Sequence, residues 1–300
     1  MIRTLLRKSR LITLIAIVAV VIAGCAAQTQ LNRHFEFMKT LEENEKLEPH
    51  VMTVNDDFEL YYRRVGEPKR AVVVWIHGTP GAWNDIGKLM VKEDFTDSTL
   101  FVSIDRPGWG RSQYIDNPRL VTDFTQIAEL IRPLLHELRE EAPDVPLILA
   151  GHSWGGSVVP GVAKEFPDCV DGLAIFAAGL DPDLTKPRWY NRFAKTYLGK
   201  RILGKSMLDA NVEMYALSPE MEELLPHWQN IELPTVVVQG MKDPLVSPRN
   251  AEFAEEVLNP ENSHVLKIEK QDHFLHINGV DLIERCLLAV ADNELQNCRT

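Results

Sequence analysis

Gly151-His152-Ser153-Trp154-Gly155-Gly156 is entered from the apolar run Val145 to Ala150 and left through Ser157 to Phe166. A strand that turns at once into a helix puts its corner residue on a sharp bend, where side chains two positions away on either side would collide with the backbone. Glycine at 151 and 155 meets that condition and makes Ser153 the corner. The Ser153 hydroxyl is then expected above the strand end, open to a small molecule. The N–H groups that begin the next helix face the same spot, and that of Trp154 can donate to a developing oxyanion. A bare Gly-x-Ser-x-Gly match also fits a turn without chemistry, so its surroundings decide.

Toward the N-terminus, Ala71 to Ile76 is an unbroken β-branched and aromatic run, as expected of a strand covered on both faces. It ends in His77-Gly78-Thr79-Pro80-Gly81, followed by a helix near Asn84 to Val91. Leu100 to Ile104 is the next buried strand, ending in Asp105 to Ser112, and the spacing of Leu120, Phe124, Ile127, Ile131, Leu134 and Leu138 predicts a long amphipathic helix. Val51 to Val54 and Phe58 to Val65 alternate as an antiparallel edge hairpin would.

Toward the C-terminus, Val170 to Ala177, Thr235 to Gln239 and His264 to Ile268 read as strands, with helices at Arg249 to Leu258 and Val280 to Val290. Strand and helix alternate, which predicts a mostly parallel central sheet with helices on both faces, an α/β fold. The alternation is interrupted between 181 and 230, where a cap can be inserted.

Four motifs now stand in order on expected strand ends: His77 to Gly81, Asp105 to Ser112, Gly151 to Gly156, and two late loops holding Asp243 and His273. Together they resemble the α/β-hydrolase family from about Val51 to the C-terminus. The resemblance implies a core of 50–180 and 231–300 with a small helical cap at 181–230. It also implies a serine nucleophile, an acid and a histidine in that chain order. A serine hydroxyl is a weak nucleophile until a base takes its proton, and the base needs a carboxylate to fix its tautomer. Ser153, Asp243 and His273 fall at the family's three places, with the family's hydrophobic pair, Leu245 and Val246, two and three residues after the acid. His276 is the rival base, and Asp181 and Asp183 stand at an alternative acid position. Backbone N–H groups of Thr79 and Trp154 are the implied oxyanion donors. Asp105 and Arg106 read as structural, and His77 as a residue ordering the oxyanion loop.

The implied activity is carboxylic ester cleavage through an acyl-enzyme, with a small-molecule ester as partner and no cofactor or metal. An aminopeptidase or a carbon-carbon bond hydrolase would use the same triad, and a non-catalytic binding lipoprotein could use the same scaffold. Serine at 153, in place of aspartate, speaks against the epoxide hydrolases and haloalkane dehalogenases that share the His-Gly-x-Pro loop.

The chain's 300 residues carry a net charge of -11, which disfavours a nucleic-acid partner because no strongly basic domain is present to displace counterions. Arg3, Arg7, Lys8 and Arg10 precede the uncharged stretch Leu11 to Ala23, and Ile22-Ala23-Gly24-Cys25 closes it. This resembles a bacterial lipoprotein signal over 1–24, cut before Cys25, which would be acylated. Residues 25–49 read as a tether, and the expected location is the cell envelope, in the outer membrane where there is one, since Ala26 is not aspartate. Of the remaining cysteines, Cys286 and Cys298 are the only sequence-close pair, and spacing leaves open whether they join.

Within the cap, Trp189, Phe193 and Tyr197 recur every fourth residue among Lys186, Arg188, Arg192, Lys195, Lys200, Arg201 and Lys205. The expected arrangement is an amphipathic helix with its aromatics packed on the core and its cations in water. The alternative is a face that meets an anionic lipid surface or an acidic acyl substrate.

Overall fold

The parallel order of the sheet follows from its strand sequences. In a computed structural model that describes residues 36–300, the runs Ala71–Ile76 (β3), Thr99–Ile104 (β4), Leu147–His152 (β6), Gly172–Phe176 (β7) and Thr235–Gly240 (β8) are buried along their whole length. Each is too apolar to leave a face in water, so each needs a layer on both sides. Ser263–Ile268 (β9) closes one edge and is half-buried. Glu48–Val54 (β1) and Phe58–Val65 (β2) form the expected antiparallel hairpin at the other, and the two-residue Gln113–Tyr114 (β5) pairs with β2. The sheet order is β1-β2-β4-β3-β6-β7-β8-β9, and it is parallel from β4 to β9.

Successive side chains of β3 split between the two faces, as the period of two requires. Val72, Val74 and Ile76 join a core with the helices Phe124–Glu141 (α1) and Trp154–Glu165 (α2). Trp75 faces the opposite side, with Phe101 and Phe176 at ring-centroid distances of 6.4 and 5.7 Å. The Asp123 side chain caps α1 by accepting the Gln126 N–H at 2.7 Å. The helix expected near Asn84 is shorter than its pattern suggested, a 3-10 turn at Trp83–Ile86 followed by Gly87–Met90.

Residues 46–300 form a unit of their own, and β1 starts at Glu48, two residues inside the stretch expected to be tether. Within that stretch, residues 36–42 are helical. The signal segment 1–24 and Cys25 lie outside the described residues. Between β7 and β8 stand the short helices Trp189–Ala194 (α3) and Tyr197–Ile202 (α4) and the longer Lys205–Leu224 (α5). Leu217, Met221, Leu224 and Trp228 root this insertion in the same core as α1 and α2. Asn250–Val257 (α6) and Val280–Ala291 (α7) complete the order. Cys286 of α7 is bonded to Cys298, which ties down the C-terminal tail.

From β3 the chain moves to one neighbour, β4, and later returns to the other, β6. The carboxyl ends of β3 and β6 therefore border a point where the strand order reverses, and in open parallel sheets that crevice is where ligands bind.

Candidate active site

The loops that follow β3, β4, β6, β8 and β9 carry the four motifs predicted from sequence. At β6 the bend is as tight as the glycines suggested. Ser153 sits at φ 55° and ψ -124°, a strained conformation for a residue with a side chain, at the start of α2. A Cβ on Gly151 would lie 2.6 Å from the Gly155 backbone, and one on Gly155 would lie 2.2 Å from the Ile76 carbonyl oxygen. Neither position has room for alanine. The Ser153 N–H donates to the Phe176 carbonyl at 2.8 Å, which fixes the bend to β7.

The β3 loop comes down onto this corner. A Cβ on Gly78 would stand 3.1 Å from that of Ser153, so the next residue, Thr79, begins beside the hydroxyl. The N–H groups of Thr79 and Trp154 are spent on no hydrogen bond among the described residues. His77 is fully buried, and burial together with the Arg106 cation pushes its pKa well below the usual histidine range. It stays neutral and bridges two loops, its Nε2 accepting the Arg106 N–H at 3.0 Å while Nδ1 faces the Gly78 carbonyl at 2.7 Å. Asp85, close to Gly81, has its carboxyl pushed up to about 7, first by burial.

Asp243 and His273 meet across the ends of β8 and β9. The His273 Nδ1 donates to Asp243 Oδ2 at 2.6 Å. The carboxylate is held from its other side, Oδ1 accepting the Leu245 and Val246 N–H groups at 2.8 Å each and Oδ2 accepting from Gln239 Nε2 at 3.3 Å. With Nδ1 occupied, the Nε2 of the His273 ring is the nitrogen left for a substrate-side proton. The residue beside the corner fastens His273 in place: His152 Nε2 donates to the His273 carbonyl at 2.8 Å, and the two rings lie 4.8 Å apart. The Ser153 hydroxyl itself makes no hydrogen bond among the described residues. Its connection to His273 runs through the neighbouring residue His152, whose ring holds the His273 carbonyl.

His276, the rival base, packs on the other side of His152, with ring centroids 4.1 Å apart. Burial and these two neighbouring histidines hold His152 well below the usual histidine pKa. Asp181 and Asp183 do not reach His273; Asp181 accepts the Asp183 N–H, and Asp183 pairs with Lys186. Asp272 turns back onto the Phe274 N–H at 2.9 Å.

The Asp105 to Ser112 loop is structural, as read from sequence, but its main partner was not legible there. Arg106 is wholly buried, donating to the His77 and Gly78 carbonyls at 2.9 and 3.1 Å. Its guanidinium forms a two-pronged ion pair with Glu213 of α5, at 2.7 and 3.1 Å, and Trp109 Nε1 donates to the same carboxylate at 2.7 Å. A signal existed: Glu213 stands on the stripe of α5 that Ala210, Leu217, Met221 and Leu224 bury. A carboxylate on a buried stripe calls for a cation.

The family model described as Serine aminopeptidase, S33, matches residues 67–225. The chain is 33% identical over 101 residues to proline iminopeptidase of Lactobacillus crispatus, covering 33% of each chain. It is 25% identical over 134 residues to monoglyceride lipase of Mus musculus, covering 43% of this chain and 42% of that protein. The chain thus spans less than half the length of these curated relatives. Monoacylglycerol lipase of Paleococcus ferrophilus superposes with a TM-score of 0.60 at 20% identity, over 80% of this chain and 99% of that one.

Proposed function

We propose, for a chain that belongs to the Serine aminopeptidase, S33, family of α/β-hydrolase enzymes, that it cleaves carboxylic esters through an acyl-enzyme on Ser153. The observation that carries this reading is the 2.6 Å bond between His273 Nδ1 and Asp243 Oδ2, made by a histidine whose backbone is bonded to the residue beside Ser153. Ser153 Oγ attacks the ester carbonyl while His273 Nε2 takes its proton. The oxyanion collects between the N–H groups of Thr79 and Trp154, each such donor supplying ~2.7 to 4 kcal/mol in the transition state. His273 returns the proton to the departing alcohol, and Asp243 keeps the ring in the required tautomer and stabilises the imidazolium. Water then attacks the acyl-enzyme by the same route and releases the acid.

An aminopeptidase would need the same nucleophile together with a carboxylate free to hold a protonated amine. The buried carboxylate on the inner side of the cap, Glu213, is already engaged by Arg106 and Trp109. This favours the ester over the peptide. The test is to treat the protein with a fluorophosphonate probe and map the label, then compare p-nitrophenyl esters of graded chain length with amino-acid p-nitroanilides. Label on Ser153 and turnover of the esters are expected. Absence of label would restore the binding-lipoprotein reading, and preference for the anilides would make the chain an aminopeptidase.

We further read residues 1–24 as a lipoprotein signal and Cys25 as the acylated N-terminus of a cell-envelope protein, in the outer membrane where the cell has one. The Cys286–Cys298 bond suits an exported chain, since disulfides persist in oxidising compartments. Labelling with radioactive palmitate, lost in Cys25→Ser, checks the anchor.

A further inference from the structure

We propose that the outer face of the cap, α3 and α4 with the start of α5, is a docking surface for an anionic lipid bilayer. This inference stands apart from the ester reading, because it uses no residue of the candidate triad.

Three observations support it. Apolar side chains on this face lie in water: Trp189 and Tyr197, expected in the core, are 76% and 78% exposed, and Ile202 is 64% exposed. The cause is a break in the helix. Thr196 caps a new helix by accepting the Gly199 N–H at 3.1 Å, so the four-residue spacing of Trp189, Phe193 and Tyr197 spans two short helices and builds no single buried stripe. A cluster of large apolar residues left in water marks a surface that meets something else.

Secondly, the charge of this face opposes that of the molecule. Residues 186–208 hold seven lysines and arginines and none of the chain's 43 acidic residues, in a protein of net charge -11. Arg192, Lys195, Lys200 and Arg201 make no ion pair among the described residues. A positive patch on an acidic protein selects an anionic partner and is repelled by cationic ones.

Thirdly, the residue types fit an interface between water and hydrocarbon. Tryptophan and tyrosine have an apolar body and a polar edge and settle at headgroup depth, while lysine and arginine stems reach from apolar surface to charge. The Tyr197 hydroxyl already accepts from Arg201 at 3.1 Å. Short basic helices with aromatic residues on the other side lie flat on such surfaces.

Of the six tryptophans, the other five are buried, and Trp189 alone is open to lipid. The experiment therefore places the full chain in vesicles of phosphatidylcholine, with or without phosphatidylglycerol, each containing lipid brominated on its acyl chains. Trp189 emission is read as the difference between wild type and Trp189→Phe. Quenching is expected in the anionic vesicles and should fall at about 1 M salt, where the screening length is ~3 Å. The charge reversals Arg192→Glu, Lys200→Glu and Arg201→Glu together should weaken it by at least ~10-fold. The salt titration needs no variant and stands even if the triple substitution fails to fold. Ser153→Ala should keep the quenching in full, which separates this inference from the ester reading. Equal quenching in neutral and anionic vesicles would overturn it, and an unquenched Trp189 in both would assign the face to a protein partner instead.

Discussion

The loops at the carboxyl ends of the strands and the outer face of the cap are built in opposite ways. At the strand ends Asp243 spends both oxygens on four donors, and Gly155 has no room for a methyl group. On the cap, two helices of six residues each hold exposed aromatics beside unpaired cations. Positions fixed to within a fraction of an ångström come from backbone already locked between neighbouring strands. The cap instead keeps the solvent-facing side that a second surface could use. A buried ion pair, Arg106 with Glu213, joins the inner side of the cap to the His77 and Gly78 loop over Ser153.

If the strand ends hold the chemistry, the largest effects belong there. Ser153→Ala should lower kcat by ~10⁶, and Asp243→Asn, which preserves shape but not the tautomer, by ~10⁴. The thermal unfolding temperature should stay nearly unchanged for Ser153→Ala and fall for Asp243→Asn, whose amide NH2 replaces the oxygen that accepts from His273 and Gln239. Retention of most activity by either variant in a p-nitrophenyl ester assay would move the chemistry elsewhere.

The joint between the two regions comes next. Glu213→Gln strands a buried guanidinium, and breaking such a pair costs about 3 to 5 kcal/mol in denaturant-measured stability. The double variant Arg106→Met with Glu213→Leu should regain much of that stability. It should not regain kcat, because the His77 and Gly78 carbonyls lose their donor and the oxyanion loop its support. Recovery of both would reduce the ion pair to simple packing.

How far the sequence revealed these two regions differs for the same physical reason. The strands were legible because a chain covered on both faces must be apolar throughout, and Ala71 to Ile76 shows nothing else. The corner at Ser153 was legible because only glycine fits at 151 and 155. Asp243 and His273 could be placed by chain order along strand ends, and their contact at 2.6 Å is a matter of adjacent strands β8 and β9. The Arg106–Glu213 pair joins residues 107 positions apart: the buried stripe of α5 shows that Glu213 needs a cation, and only the folded insertion shows which one. The cap aromatics misled because helical spacing says which residues share a face, and a break at Thr196 removes the helix that would carry them inward.

The C-terminal tail gives a smaller test on the rigid side. The Cys286–Cys298 bond closes a sequence separation of 12, and loops near that length contribute roughly 3 kcal/mol by restricting the unfolded chain. Reduction, or Cys298→Ser, should lower the Tm by several degrees with little change in kcat, because neither cysteine touches the candidate site. A matching loss of kcat would mean that α7 steers the loop of His273, and the rigid region would then extend to the tail.

The smallest effect belongs to the cap's outer face, and its smallness is what the comparison requires. A tryptophan at 76% exposure and a tyrosine at 78% have little contact to lose, so Trp189→Ala and Tyr197→Ala should each change stability by no more than ~0.5 kcal/mol. A core aromatic truncated in the same way costs about 3 to 5 kcal/mol. The measurement is urea unfolding of the two variants beside Trp154→Ala, whose indole is buried against Phe124 at 5.3 Å. Near-zero values for the cap pair would mean that the fold has no use for these rings and that their apolar surface is kept for something outside it. Values approaching that of Trp154 would return them to the core and remove the contrast between the two regions.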